Sequence, residues 1–214
     1  MNNSLRPDVP VETDPLVARL LDAAVAVIRQ NAETLGDLDR AIGDGDHGVN
    51  MLRGFSAIAE ARESIAALPL GSALEAMGKV LVMKVGGASG PLYGSLLLGM
   101  GRAGNSLREM LKAGVAAVKK RGKSERGEKT MLDVLVPVQL AWEQACDEGL
   151  DTRTAIERLK RAAEEGLEST RPLVASKGRA SFLRERSIGH LDPGACSSSL
   201  LVHAACDAFI GTKP

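Results

Sequence analysis

Aromatic residues are scarce in this chain. Phe, Trp and Tyr make up 2% of its 214 residues, whereas hydrophobic residues make up 44%. The core therefore has to be built from Leu, Ala, Val, Ile and Met, a composition that favours packed helices over a sandwich of aromatic-rich strands. The length fits one domain with a single sizeable core.

Cysteine pairs and excess charge are also missing. The three cysteines are an odd number without a CxxC pair, which argues against a disulfide framework or a zinc knuckle and favours a reduced, cytoplasmic protein. Lys and Arg total 27 against 27 Asp and Glu. A balanced charge provides no general field for nucleic acid or an anionic membrane, so any anion site has to be local.

Long apolar runs are absent as well. No run reaches the roughly 18 residues that a membrane span needs, and the polar segment 1–13 lacks the apolar centre of a secretory signal. We expect residues 1–13 to be a flexible N-terminal segment and residues 14–214 to form the domain.

Apolar residues recur at helical spacing from Pro15 onwards, and strand alternation is absent. The sequence therefore predicts an all-α bundle of about eight helices. After the first helix, the predicted helical stretches are 50–65, 72–85, 91–101, 106–120, 131–146, 152–174 and 194–210.

Glycines cluster in four breaks between these helices, at 43–48, 86–94, 122–127 and 178–194. The breaks follow the first, third, fifth and seventh predicted helices. Because alternate loops of an up-and-down bundle gather at one end, we expect one composite site there. Ordinary turns between helices are the alternative, above all for 122–127.

Three carboxylates, Asp39, Asp44 and Asp46, surround the first break. If this break is an extended loop, Asp44 and Asp46 point the same way, and Asp39 joins them from the end of the first helix. Converging carboxylates with no neighbouring Lys indicate a divalent cation, and an oxygen-only set suits magnesium. The alternative is a polar turn in which Asp44 caps the next helix. His47 is interpreted as a hydrogen-bonding neighbour in preference to a nucleophile or a metal ligand.

The loop Gly86–Pro91 within the second break precedes a strongly apolar helix. Small residues allow backbone N–H groups to approach an anion at a helix N-terminus. Ser89 has two candidate roles there, since its hydroxyl suits either a phosphate or a metal-bound water. A plain helix–helix turn is the competing reading. Walker A is excluded because Ala117 stands where its first glycine is required.

The two late breaks carry most of the loop charge. Met131 offers a soft apolar surface for a purine ring, although core packing is equally consistent with it. Arg179, Arg184 and Arg186 are candidates for hydrogen bonds to phosphate. A solvated connection and unliganded surface arginines are the alternatives.

Four motifs stand in the same order as in a known family: LDRAIGDGDHGVNMLRGF from Leu38, VGGASGPLYG from Val85, SERGEKTMLDVLVPV from Ser124 and KGRASFLRERSIGHLDPGA from Lys177. Over residues 16–210 the chain resembles the nucleotide-binding (L) subunit of dihydroxyacetone kinase. The resemblance implies a closed barrel of eight antiparallel amphipathic helices that binds ADP or ATP at one end through two magnesium ions.

The resemblance also implies the site residues. The magnesium ligands would be Asp39, Asp44 and Asp46. The nucleotide contacts would be His47, Gly48, Asn50, Gly87, Ala88, Ser89, Gly122, Thr130, Met131, Arg179, Asp192, Pro193 and Gly194.

In such a family the chain passes a phosphoryl group to dihydroxyacetone held on a separate K subunit, and is inactive alone. A chain without a fused K domain favours bound ADP that a multiphosphoryl (M-type) protein of the phosphotransferase system rephosphorylates. ATP as the donor, erythrulose as the acceptor and a nucleotide-bearing adaptor for a transcription regulator are the alternatives, with a purely structural helical protein as a further one. A homodimer is compatible with the sequence.

Overall fold

Helices account for the regular structure of the described residues, 16–104 and 106–211, in this computed structural model. The predicted flexible segment 1–13 lies outside these residues. Within them there are nine α-helices and one 3-10 helix, Arg179–Ser187. The α-helices are α1 Leu16–Ile42, α2 His47–Glu60, α3 Arg62–Ala66, α4 Leu70–Lys84, α5 Ser89–Arg102, α6 Leu107–Gly122, α7 Leu132–Asp147, α8 Thr152–Ser169 and α9 Pro193–Ile210.

Eight of these helices close into a ring. Helix α1 packs against α2 and α9; α2 packs against α4; and from α4 to α9 each helix packs against the next. The short α3 lies between α2 and α4 in the chain and takes no separate place in the ring. Short connections join most neighbouring helices of the ring, which therefore run in opposite directions. The long connection, residues 170–192, lies between α8 and α9. The prediction of an all-α barrel of eight antiparallel helices is confirmed.

The apolar stripe of each helix faces the inside of this ring. In α1 the buried positions include Leu21, Val25, Ile28 and Leu35, three, four or seven residues apart, as one face of a helix requires. All eight ring helices also line an interior cavity of about 260 Å³, whose walls are almost wholly apolar. None of the helices in the described ranges has the length and apolar character to cross a membrane.

Two predicted helix boundaries are wrong. The predicted helix 50–65 is interrupted at Ala61, where φ −93° and ψ 11° leave the helical region, so that α2 and α3 are separate. No glycine or proline marks this break. The predicted helix 152–174 ends at Ser169, and the long break that follows contains the 3-10 helix.

Candidate functional site

The four glycine-rich breaks meet at one end of the barrel, as predicted. They surround an open cavity of about 780 Å³ that receives residues from every one of them. Four helices begin at this cavity, since it is lined by the first residues of α2, α5 and α9 (His47, Ser89 and Pro193) and by the residue before α7, Met131. Helix N-termini carry partial positive charge and unpaired N–H groups, so this end of the barrel favours an anion.

The three carboxylates converge inside the cavity. Oxygen atoms of Asp39, Asp44 and Asp46 lie within 4.8 Å of one another. Asp39 is buried near the end of α1 and accepts the backbone N–H of His47 at 3.0 Å. Asp44 is exposed and forms an ion pair with Arg179, with Nε 2.8 Å from the carboxylate oxygen. Three acidic groups so close together strongly favour a bound cation.

The turn that gathers these carboxylates is not the extended loop that we expected. Gly45 has φ 78°, which glycine adopts without the steric cost that a side chain would add. Asp46 has helical backbone angles and stands directly before α2. Asp44 pairs with Arg179 and lies two residues before that capping position, so the alternative of a helix-capping Asp44 is not supported.

The glycine loop brings backbone into the cavity. Gly87 has φ 64°, and α5 begins two residues later at Ser89. No side chain of a described residue caps this helix start, so its first N–H groups are available to a ligand. Asn50 lies behind the loop, where its side-chain oxygen would be 2.8 Å from a Cβ on Gly86.

His47 is buried, and both of its ring nitrogens are hydrogen-bonded. Nδ1 lies 3.0 Å from the Ser89 hydroxyl, and Nε2 lies 2.9 Å from the Ser197 hydroxyl. Burial lowers the pKa of His47 below its usual value, against the opposing effect of Asp39 and Asp46. The interpretation of His47 as a hydrogen-bonding neighbour agrees with this geometry, which leaves no ring nitrogen for a metal.

Two charged residues, Lys129 and Asp133, shape the part of the site at the third break. Neither was predicted from the sequence. Lys129 lines the cavity, is 1% exposed, and donates through Nζ to the carbonyl oxygens of Thr170 and His190 at 2.6 Å each. Its ammonium group thus ties the third break to the fourth, and burial lowers its pKa. Nothing in the charged stretch 121–131 distinguishes Lys129 before folding.

Asp133 holds the third break in shape. Its carboxylate accepts the backbone N–H groups of Gly127 at 2.5 Å and Thr130 at 2.7 Å. The Thr130 hydroxyl in turn accepts the N–H of Leu132 at 3.2 Å. A Thr followed three residues later by an acidic residue is a helix-start signal, and it was present in the sequence.

The carboxyl group of Asp192 is buried at the start of α9. It accepts the N–H of Ala195 at 2.7 Å. Burial raises the pKa of Asp192 to about 7, with contributions from Asp133 and Asp39. The fourth break therefore brings a carboxyl group to the cavity that changes charge near neutral pH.

Most of the residues predicted for the site line the cavity, and two do not. Gly48 faces α1, where a Cβ would be 1.9 Å from the carbonyl oxygen of Ala32. Asn50 supports the glycine loop from behind. Those that do line it are Asp39, Asp44, Asp46, His47, Gly87, Ala88, Ser89, Gly122, Thr130, Met131, Arg179, Asp192, Pro193 and Gly194.

The two other candidate arginines, Arg184 and Arg186, are exposed and lie outside the cavity wall. Lys177 and Phe182 line the cavity from the same break. Of the arginines in the late break, only Arg179 reaches the cavity, beside the acidic cluster.

Known proteins resemble this chain over most of its length. The DAK2 domain profile matches residues 41–207. The PEP-dependent dihydroxyacetone kinase 1, ADP-binding subunit, of Listeria innocua is 46% identical over 83% of this chain and 87% of its own length. The PEP-dependent dihydroxyacetone kinase, ADP-binding subunit, of Escherichia coli K12 is 43% identical over 80% of this chain and 85% of its own length.

A solved structure has the same fold. The dihydroxyacetone kinase from C. freundii, in complex with AMP-PNP and Mg²⁺, superposes with a TM-score of 0.71 at 22% identity. The match covers 97% of this chain and 36% of that one.

Proposed function

Because this chain belongs to the DAK2 domain family, we propose that it is the ADP-binding subunit of a dihydroxyacetone kinase. The observation that carries the proposal is the convergence of Asp39, Asp44 and Asp46 in a cavity at which four helices begin. The carboxylates suit a cation, and the helix N-termini suit the phosphates bound to it.

The three carboxylates are proposed to hold two magnesium ions. Their oxygen atoms are close enough together to share one metal centre, and an oxygen-only set is the kind that magnesium prefers. Magnesium there would bridge the phosphate oxygens and neutralise charge that develops during phosphoryl transfer. Arg179, now paired with Asp44, is placed to contact a phosphate at the same edge.

The nucleotide is proposed to lie along the rest of the cavity wall. Gly87, Ala88 and Ser89 present backbone N–H groups to the phosphates. The wall at the third break is formed by Gly122, Thr130 and Met131. Met131 is buried, and its side chain is apolar enough to face a purine. Asp192, Pro193 and Gly194 close the wall at the start of α9.

The acceptor and the donor are proposed to be held by other proteins. Among the described residues, the carboxylates that could hold a metal lie in the cavity assigned to the nucleotide, and dihydroxyacetone is proposed to be bound by a separate K subunit. The two relatives above are named PEP-dependent, which supports bound ADP rephosphorylated by an M-type phosphotransferase-system protein. We place this assembly in the cytoplasm.

Titration calorimetry with ADP, with and without Mg²⁺, tests the site. We expect binding that requires Mg²⁺ and that Asp44→Asn weakens by about 100-fold, since even the loss of a partner behind a metal ligand costs about 10- to 100-fold. The matched control is Asp37→Asn, which removes an exposed carboxylate that pairs with Arg40 outside the cluster. Absence of ADP binding by the unmodified chain, or equal losses in both variants, contradicts the proposal.

A second measurement identifies the phosphoryl donor. The chain is mixed with a K subunit and dihydroxyacetone, and product is measured with either ATP or the phosphorylated phosphotransferase protein. We expect product with the phosphoprotein at catalytic amounts of ADP. Turnover with ATP alone would assign the ATP-dependent mode.

A further inference from the structure

The His47 ring belongs to a buried chain of hydroxyl groups that crosses three helix starts. It connects Ser89 at the start of α5 to Ser197 in the first turns of α9, at 3.0 and 2.9 Å. The Tyr93 hydroxyl continues the chain, 2.7 Å from Ser197 and 2.8 Å from Ser198. All of these groups except Ser89 are buried, so the hydrogen-bond directions inside the chain have to be mutually consistent.

The direction of each bond follows from the groups around Ser197. Its hydroxyl donates to the carbonyl oxygen of Pro193 at 3.0 Å and lies 3.2 Å from that of Gly194. A carbonyl oxygen only accepts, and a hydroxyl has a single proton. With that proton directed to Pro193, Ser197 has none for Nε2 of His47 and accepts from it. The Tyr93 hydroxyl has its own acceptor in the carbonyl oxygen of Gly194, 3.1 Å away.

The other ring nitrogen then has to accept. A neutral imidazole with its proton on Nε2 carries a lone pair on Nδ1. The neighbour of Nδ1 is the Ser89 hydroxyl, which therefore donates its one proton to His47. The oxygen of Ser89 keeps only lone pairs for the cavity that it lines.

We infer that His47 is a positioning residue that turns the Ser89 oxygen toward the cation or a cation-bound water. Oriented in this way, Ser89 is an acceptor and has no proton to donate to a phosphate oxygen. This inference rests on the proposed function and chooses between the two roles that the sequence left to Ser89. Phosphate recognition at the start of α5 is then the task of backbone N–H groups.

The tautomer of His47 is measured in the protein without metal or nucleotide. A long-range ¹H–¹⁵N spectrum of ¹⁵N-histidine-labelled protein contains signals from His47, His190 and His203, and the His47→Asn variant assigns the first. We expect a protonated Nε2 and an unprotonated Nδ1. A protonated Nδ1 overturns the inference, whatever the protein binds.

The magnesium dependence of ADP binding gives an independent readout. At saturating ADP, Ser89→Ala and His47→Phe should each raise the Mg²⁺ concentration for half-saturation on the order of tenfold, as the loss of one hydrogen-bonding group does. The double variant should require no higher Mg²⁺ concentration for half-saturation than the more affected single variant, because both changes remove the same oriented oxygen. His47→Asn can place a carbonyl oxygen near the Nδ1 position and should restore part of the loss.

Ser106→Ala is the matched control, because Ser106 precedes α6 at the other end of the barrel. It should leave the Mg²⁺ dependence unchanged. A Ser89→Ala protein that binds Mg²⁺ normally but ADP weakly would overturn the inference and make Ser89 a phosphate donor. If the unmodified chain binds no ADP, the proposed function fails, and the tautomer measurement still decides the orientation of Ser89.

Discussion

A substitution at Gly48 distinguishes a role of this glycine in helix packing from a role in ligand binding. It is the second residue of α2, and a Cβ there would be 1.9 Å from the carbonyl oxygen of Ala32 and 2.8 Å from the backbone nitrogen of Gly36. Both atoms belong to the backbone of α1 and cannot turn aside as a side chain can. Gly48→Ala should therefore push α1 and α2 apart.

The size of the effect follows from two opposing contributions. Overpacking in a well-packed region costs about 1–3 kcal/mol, and contact with backbone lies at the upper end. Alanine recovers about 1 kcal/mol of helix propensity relative to glycine. The expected net loss is about 2 kcal/mol, which lowers the melting temperature of a domain of this size by roughly 4–8 °C.

Gly36→Ala is the matched control at the same helix crossing. Its Cβ would meet the Arg40 side chain at 3.4 Å and the carbonyl oxygen of Gly45 at 3.8 Å, which are ordinary contacts. The added helix propensity should leave the melting temperature unchanged or raise it slightly. Differential scanning calorimetry without ligand compares the two variants, and ADP binding at 20 °C provides the second readout.

One result would refute this reasoning. If Gly48→Ala has the same melting temperature as the unmodified protein but a lower affinity for ADP, the glycine is needed for the close approach of a ligand, as the family resemblance implied. A lowered melting temperature in Gly36→Ala as well would mean that the crossing tolerates no side chain at either position.

Three further predictions concern other parts of the site. Gly87→Val should weaken ADP binding with little loss of helix content, because φ 64° is unfavourable for a β-branched residue. Unchanged affinity would contradict a role of the glycine loop in nucleotide binding. Arg184→Gly should raise the free energy of unfolding, measured in urea titrations, by about 1 kcal/mol. The relief of backbone strain at φ 50° and ψ −125° exceeds the entropic cost of glycine. A less stable variant would contradict this. The raised pKa of Asp192, about 7, makes stability fall by up to roughly 4 kcal/mol as pH rises from about 4 to 7. Asp192→Asn should flatten this pH dependence in metal-free thermal melts, and an unchanged slope would exclude Asp192 as its source.

The acidic cluster shows which features of the site the local sequence can predict. Asp39, Asp44 and Asp46 stand within eight residues of one another, so a single turn of the chain is enough to bring them together. Their convergence was predictable for that reason, but the turn was not, because the left-handed Gly45 replaces the expected extended loop. The Thr130–Asp133 signal was equally local and was overlooked.

The sequence by itself determined that the chain is helical and that its four polar breaks share one end. Both follow from local properties of the sequence, the spacing of apolar residues and the alternating direction of successive helices in a bundle. The tertiary structure decided the burial of Lys129, the use of Gly48 against α1, and the partners of His47. Those partners are 42 and 150 residues away in the chain. Such contacts depend on which helix faces meet when the barrel closes, and periodicity within one segment carries no information about that.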